Sequence, residues 1–125
     1  MIHEGRWSGR QVIPSGWVQQ STTLHVKAAD IGNGKGLLGY AYLWWKPSES
    51  RRGPEWDGSF LADGNFGQFI LCLPAIDTVI VHRRAVTDEF AIARNLGKTK
   101  SGPAGGSVSI ADFLAIADTI IAART

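Results

Sequence analysis

The segment from 60 to 82, FLADGNFGQFILCLPAIDTVIVH, constrains the fold most, because short apolar runs in it alternate with turn residues. The runs predict strands at about 59–63 and 67–73, interpreted as two parts of one element, and a β-branched strand at 78–82. The residues 74–77, PAID, predict a tight connection between them. Connections this short cannot carry a crossover, so the strands are predicted to pair in an antiparallel meander.

An aromatic run from Leu37 to Trp45 precedes this segment and predicts one further strand. Alternation places two sets of side chains on opposite faces: Leu38, Tyr40, Tyr42 and Trp44 on one, and Leu37, Ala41, Leu43 and Trp45 on the other. Because both sets are apolar, the strand is predicted to be covered on both sides.

Two helices are predicted to flank the sheet. Pro14 and Ser15 form a start signal for a short helix over 16–21. Ser109 and Asp112 form a capping-box-like start for a C-terminal helix, whose apolar stripe is Ile110, Phe113, Leu114, Ala117, Ile120 and Ile121. The predicted fold class is therefore α/β of the α+β type, with an antiparallel sheet of about three strands and flanking helices.

Four segments are predicted to connect these elements. Residues 28–36 form a turn-rich connector, and 46–58 form a polar loop. Residues 88–96 predict a helical turn or two, and the Gly-, Lys- and Ser-rich stretch 97–106 predicts a surface loop.

Composition excludes several kinds of partner. The 125 residues suffice for one domain with a modest core. Basic and acidic residues, 13 and 11, are dispersed, so neither nucleic acid nor anionic lipid is an expected partner. No apolar run approaches the roughly 20 residues of a membrane span. The start, MIHEGRW, lacks the features of a signal peptide, and no compartment is predicted.

Cys72 is the single cysteine, which excludes an intrachain disulfide and a thiolate metal cluster. Its leucine neighbours favour a buried hydrophobe over a reactive thiol. The histidines His3, His25 and His82 have no partner at metal-ligand spacing, and His82 is interpreted as a structural residue at a strand end rather than a base. No metal and no cofactor is predicted.

Two glycine motifs have the wrong context for nucleotide binding. The spacing Gly34-x-Gly36-x-x-Gly39 matches a dinucleotide pattern, but a loop precedes it and a strand follows, which favours turn chemistry. The stretch 97–99, GKT, resembles the end of a phosphate-binding loop, but position 92 is Ile where that loop needs glycine.

Four stretches resemble, in order, the C-terminal part of the serine beta-lactamase-related hydrolases. The first, which resembles a helix pair of the family, comprises GRW at 5–7, GRQVIP at 9–14, WV at 17–18 and ST at 21–22. The others are GYAYLWW at 39–45, ADGNFGQ at 62–68, and Pro74, Asp77 and the following strand. This superfamily groups class C beta-lactamases, penicillin-binding peptidases, esterases and oligomer-cleaving amidases. The resemblance implies that residues 1–125 form a single partial domain with a partial beta-lactamase-like fold.

The resemblance also implies a site at 62–68. In the family, a strand that begins with a Lys-Thr-Gly or His-x-Gly triplet runs along the active-site wall, and the substrate lies against its backbone. Carried over, Ala62, Asp63 and Gly64 are the triplet, and the Asn65 N–H is one oxyanion-hole donor. Gly67 and Gln68 keep the wall open and polar. The alternative is a β-bulge with no catalytic part.

Departures from the family pattern change the expected substrates and the expected activity. Ala62 replaces Lys or His, which disfavours capture of a substrate carboxylate and favours small-molecule ester or amide substrates. Asp63 either contacts an amine or hydroxyl or closes the turn. The Ser-x-x-Lys and Tyr-x-Asn motifs of the family's chemistry are absent from the printed residues.

Without the nucleophile, these 125 residues alone are predicted not to be a competent hydrolase. A non-catalytic binding or assembly module is the alternative function. Exposed aromatic patches also predict self-association of the chain.

Overall fold

The computed structural model describes residues 2–32, 36–51, 53–64, 67–83 and 108–124. The predictions made for 88–96 and 97–106, and the oxyanion assignment of Asn65, lie outside the described residues.

The described chain is mixed α and β. Its strands are β1 (Arg6–Trp7), β2 (Arg10–Gln11), β3 (Gly39–Tyr40), β4 (Trp45–Lys46), β5 (Phe60–Gly64), β6 (Gln68–Leu73) and β7 (Thr78–His82), and its helices are α1 (Ser15–Thr22) and α2 (Ile110–Ala122). Strands β1 and β2 pair by themselves, and the other five form a sheet in the order β3-β4-β5-β6-β7. The α+β class with antiparallel pairing is confirmed, but the expected three strands are five among the described residues.

The predicted strand 37–45 is wrong, because this run folds into a tight hairpin. Gly39 pairs with Lys46 and Tyr40 with Trp45. Between these pairs, the Ala41 N–H donates to the Trp44 carbonyl over 2.7 Å. The turn contains Tyr42 and Leu43, and neither position has the glycine, asparagine or proline that indicates a turn. The apolar pattern therefore continues through the turn and predicts a single strand.

The expectation that this run is covered on both sides is also wrong. Leu37 is 46% exposed, Tyr42 is 45% exposed and Leu43, at the hairpin tip, is 85% exposed. Leu38 and Ala41 are buried. A turn places its central side chains beyond the sheet, where neither face can cover them.

The interpretation of 59–73 as one element is also corrected, because β5 and β6 are separate neighbouring strands. The strand 78–82 is confirmed as β7. The tight connection 74–77 is confirmed as a 3-10 turn, Pro74–Ile76, followed by Asp77 in the left-handed region at φ 47°.

The segment 46–58 is more than a polar loop. Lys46 belongs to β4, and two 3-10 turns follow at Pro47–Glu49 and Pro54–Trp56. Trp56 is buried, with the Arg51 guanidinium 5.3 Å from its ring centre. Trp56 thus contributes a large buried ring to the core, although the sequence around it is polar.

The chain divides into two compact units. The first comprises Met1–Ala62 and Ile70–Ile80, and its buried apolar residues include Val18, Leu38, Trp56, Phe60, Leu61, Leu71, Cys72 and Leu73. Helix α1 belongs to this unit and confirms the predicted N-terminal helix. The burial of Cys72 also confirms its interpretation as a core hydrophobe.

The second unit comprises Asp63–Phe69 and Val81–Thr125, and α2 supplies most of its described core. The predicted cap is confirmed, since the Asp112 N–H donates to Ser109 Oγ over 3.1 Å and the Asp112 carboxylate accepts from the Ser109 N–H. Phe113 is buried and stacks on Phe69 of β6 at 4.6 Å. Ile120, placed in the buried stripe by its spacing, is 40% exposed.

No helix in the described part of the chain is both long enough and apolar enough to cross a membrane.

Candidate functional site

The first half of the predicted site lies where β5 leaves the core. Phe60 and Leu61 at the start of this strand are buried, and Ala62 is half-buried. Asp63 and Gly64, the last residues of the strand, are exposed. The triplet therefore ends a strand instead of beginning one. A strand with this gradient is anchored by its first residues and presents the backbone of its last ones.

The second half of the site begins β6. Gly67 lies just before the strand at φ 75°, in the left-handed region that glycine adopts without strain. A Cβ atom at this position would come within 2.5 Å of the Val108 carbonyl oxygen. Gly67 is thus required both by its backbone angle and by the close approach of another backbone segment. Gln68, the next residue, is half-buried at the start of β6.

The two halves approach each other at Gly64 and Gln68. A Cβ atom at Gly64 would lie 3.2 Å from the Gln68 carbonyl oxygen, so this glycine also allows close packing of the two strands. Ala62, Asp63, Gly64, Gly67 and Gln68 thus lie at the end of β5 and the start of β6, which are neighbours in the sheet. Asn65, the residue predicted to donate to the oxyanion, lies outside the described residues.

The structure places His82 in contact with Gly67 of the candidate site, and the sequence did not predict this contact. Its Nδ1 lies 2.7 Å from the Gly67 carbonyl oxygen. A carbonyl can only accept, so Nδ1 carries the proton and donates. The ring also packs near Phe69 and Phe113. The predicted position of His82 at a strand end is confirmed, since it is the last residue of β7. The tight turn before β7 is the signal that could have located it, because it brings the end of β7 back to the start of β6.

Asp63 contributes the ionisable side chain of the site. Partial burial raises the pKa of its carboxyl above the ordinary value. Within the described ranges, no hydrogen bond or ion pair of this carboxylate occurs. Such a carboxylate at the end of a strand can accept a hydrogen bond from a substrate hydroxyl or amine.

The remaining candidate residues have separate local roles. His3 Nε2 pairs with the Asp77 carboxylate at 2.9 Å on the surface, and His25 stacks on Tyr42 at 4.4 Å. Burial raises the pKa of the Cys72 thiol. Across the residues that the structure describes, no group of three or more His, Cys, Asp or Glu side chains is arranged to hold a metal ion.

A cleft of about 430 Å³ lies elsewhere, within the first unit, and the sequence did not predict it. Its lining includes Glu4, Val18 and Phe60.

The buried Lys46 ammonium lies 5.9 Å from the centre of the Phe60 ring and donates to the Gly58 carbonyl over 3.3 Å. Burial lowers the pKa of Lys46 to about 8. These contacts connect Lys46 of β4 with Gly58 and Phe60, just before and at the start of β5.

No protein-family model matches the chain, and no curated protein matches it in sequence. The relation to the beta-lactamase-related hydrolases therefore stays a prediction from the residues quoted above.

Proposed function

We propose that this chain is the C-terminal segment of a serine-dependent acyl hydrolase that acts on small-molecule esters or amides and is related to the beta-lactamases. In this proposal, the end of β5 and the start of β6 form one wall of the active site. The observation that supports it most is the exposure of Asp63 and Gly64 at the end of a strand whose first residues are buried.

The wall suits a substrate that binds along a backbone. Gly64 has no side chain and Ala62 has only a methyl group, so an acyl substrate can approach the peptide groups closely. The resemblance assigns the Asn65 N–H as one donor to the oxyanion that forms when the carbonyl is attacked. One such donor is worth about 2.7–4 kcal/mol of transition-state stabilisation.

The charges at the wall favour esters or amides over penicillin-type substrates. Ala62 offers no cation for a substrate carboxylate, and the adjacent Asp63 carboxylate would repel one. Asp63 instead suits a substrate with a hydroxyl or an amine near its scissile bond.

The nucleophile has to come from residues outside the printed sequence. In the proposed reaction, a serine attacks the carbonyl carbon while a lysine and a tyrosine manage its proton. The acyl-enzyme forms as the alcohol or amine leaves, and water then releases the acid. The printed chain alone is accordingly expected to hydrolyse neither esters nor amides.

The coding sequence upstream of Met1 provides the first test. An in-frame Ser-x-x-Lys motif is expected there, and the longer chain is expected to hydrolyse a nitrophenyl ester or an anilide. Replacing the serine of that motif by alanine should abolish the activity. The 125-residue chain should gain no mass with a serine-reactive fluorophosphonate. A mass shift on this chain would overturn the claim that it is inactive.

A variant of the longer chain then tests the wall itself. Gly64→Val is expected to reduce kcat/KM by about tenfold or more, because the side chain obstructs the backbone of the wall. Gly16→Ala is the matched control, since Gly16 lies in α1 with open space around its Cα. Equal activity of the two variants, at equal folded fraction, would contradict the proposed wall.

The alternative is a non-catalytic binding or assembly module. Exposed apolar residues on the strands of the first unit favour it, because Ile70 and Val79 are each about half exposed. Exposed apolar surface promotes association. If this alternative holds, the longer chain hydrolyses neither esters nor amides, the 125-residue chain self-associates in sedimentation experiments, and Ile70→Ser combined with Val79→Thr reduces the association. A monomer that unfolds cooperatively and binds no hydrophobic dye contradicts it.

A further inference from the structure

Two contacts from outside the hairpin fix the backbone at Gly67. The Val108 backbone approaches so closely that a Cβ at Gly67 would lie 2.5 Å from its oxygen and 3.0 Å from its nitrogen. On the carbonyl side, His82 Nδ1 donates to the Gly67 oxygen over 2.7 Å. A distance this short indicates a well-formed bond.

The bond to the carbonyl also orients the next amide. The Gly67 carbonyl and the Gln68 N–H belong to one planar peptide group, in which they point in opposite directions. Fixing the carbonyl toward His82 therefore fixes the direction of the Gln68 N–H. Gly67 and Gln68 both belong to the proposed substrate wall. The His82 imidazole therefore determines the direction in which one backbone N–H of this wall points.

The His82 ring is itself held by the core of the second unit. Its centre lies 6.1 Å from that of Phe69 and 6.2 Å from that of Phe113, and these two phenyl rings stack on each other at 4.6 Å. Phe113, a residue of α2, is buried. The direction of the Nδ1–H bond is thus set by aromatic packing, which is stiffer than an exposed turn.

We propose that His82 is a positioning residue for the substrate wall, acting through its Nδ1–H on the Gly67–Gln68 peptide. The inference rests on the proposed function for its catalytic meaning. His82 contacts no reacting atom, and its effect on the reaction passes through the peptide that it orients.

The chain offers variants that separate the hydrogen bond from ring packing. In His82→Asn, the amide nitrogen occupies about the position of Nδ1 and can donate to the same carbonyl. In His82→Gln, the donor lies about where Nε2 was, so the bond to Gly67 is not restored. His82→Phe keeps a ring beside Phe69 and Phe113 and removes the donor.

Nitrogen-15 spectra of the 125-residue chain at pH 8.5 test the bond directly. The neutral His82 ring is expected to be protonated at Nδ1. In His82→Phe and His82→Gln, the Gln68 amide is expected to exchange its hydrogen about tenfold faster, and His82→Asn should restore slow exchange. A ring protonated at Nε2, or an exchange rate that His82→Phe leaves unchanged, would overturn the inference.

Kinetics of the longer, serine-containing chain test the effect on the wall. His82→Phe should raise KM for the ester by about tenfold with a smaller change in kcat, and His82→Asn should recover the KM. An active chain whose KM does not respond to His82→Phe would also overturn the inference. A longer chain that hydrolyses nothing refutes the proposed function instead, and the tautomer and exchange results still decide whether His82 holds the peptide.

Discussion

Two hairpins of the five-stranded sheet, β3–β4 and β5–β6, differ in the contacts that hold them. The β3–β4 turn contains Tyr42 and Leu43, and Leu43 adopts φ 62° although it is not a glycine. The β5–β6 connection ends with Gly67 at φ 75°, held by the Val108 backbone and His82. A leucine in the left-handed region costs about 1–2 kcal/mol, whereas glycine adopts it without this cost.

Aromatic contacts offset the strain of the first hairpin. Tyr40 and Trp45, a cross-strand pair, contact edge to face at 4.7 Å, and Trp44 meets Phe60 of β5 at 5.0 Å. Such pairs contribute about 0.5–1.5 kcal/mol beyond the area they bury. Packing between side chains holds the first hairpin closed, whereas contacts of His82 and Val108 with the Gly67 backbone hold the second.

Removal of the Phe113 ring is expected to have the largest effect, because this ring supports the second hairpin. Phe113→Ala should lower the free energy of unfolding by about 3–5 kcal/mol, since it opens a cavity beside Phe69 and His82. Denaturant titration measures this loss. Ile116→Ala, at a half-exposed position of the same helix, should cost under about 1 kcal/mol. Equal losses would show that α2 does not support the hairpin through Phe113.

The next largest effect is expected from Gly67→Ala. The new methyl group meets the Val108 carbonyl and forces a left-handed alanine, for a combined cost of about 2–4 kcal/mol in unfolding experiments. Gly9→Ala is the control, because Gly9 has a similar φ of 76° and no atom within 4 Å of an added Cβ. The excess loss at Gly67 measures the backbone contact. A loss no greater than that of Gly9→Ala would mean that Val108 does not restrict this turn.

Stability at alkaline pH reports on Lys46, at the foot of the first hairpin. Burial lowers the pKa of Lys46 in the folded chain to about 8, from about 10.5 in the unfolded chain. Between these values the unfolded state binds more protons, so the free energy of unfolding should rise with pH. At about 1.4 kcal/mol per pKa unit, the rise is at most about 3.5 kcal/mol.

Denaturant titrations between pH 7.5 and 10.5 should detect this rise in the wild type and in Lys27→Met, which removes an exposed lysine. Lys46→Met should lack it. A parallel rise in Lys46→Met would show that other groups cause the pH dependence.

The smallest effect is expected from relief of strain at the first hairpin. Leu43→Asn should stabilise the chain by about 0.5–1 kcal/mol, because asparagine adopts the left-handed region more readily and the leucine is largely exposed. Leu37→Asn, at another exposed position without positive φ, should not stabilise it. Thermal unfolding distinguishes the two variants. Destabilisation by Leu43→Asn would indicate that the leucine contributes packing despite its exposure.

The strands β6 and β7, the turn between them and both described helices were predictable because their signals are local. Apolar alternation, a proline at a turn and a serine at a helix start each act within a few residues. Local signals did not predict the β3–β4 hairpin, because its turn has no glycine, asparagine or proline. Local signals also did not predict the burial of Lys46, which donates to Gly58, or of Trp56, which lies beside Arg51.

For the candidate site, the sequence determined its residue types and their order: small residues and one carboxylate at the end of a strand, glycine at the turn, and the resemblance that suggests a hydrolase. Tertiary structure decided which groups hold that turn. His82 and Val108 lie 15 and 41 positions after Gly67, and contacts across such separations depend on the pairing of β6 with β7 and on where the chain returns before α2. Local propensity carries no information about these distances, because it acts only between neighbours along the chain.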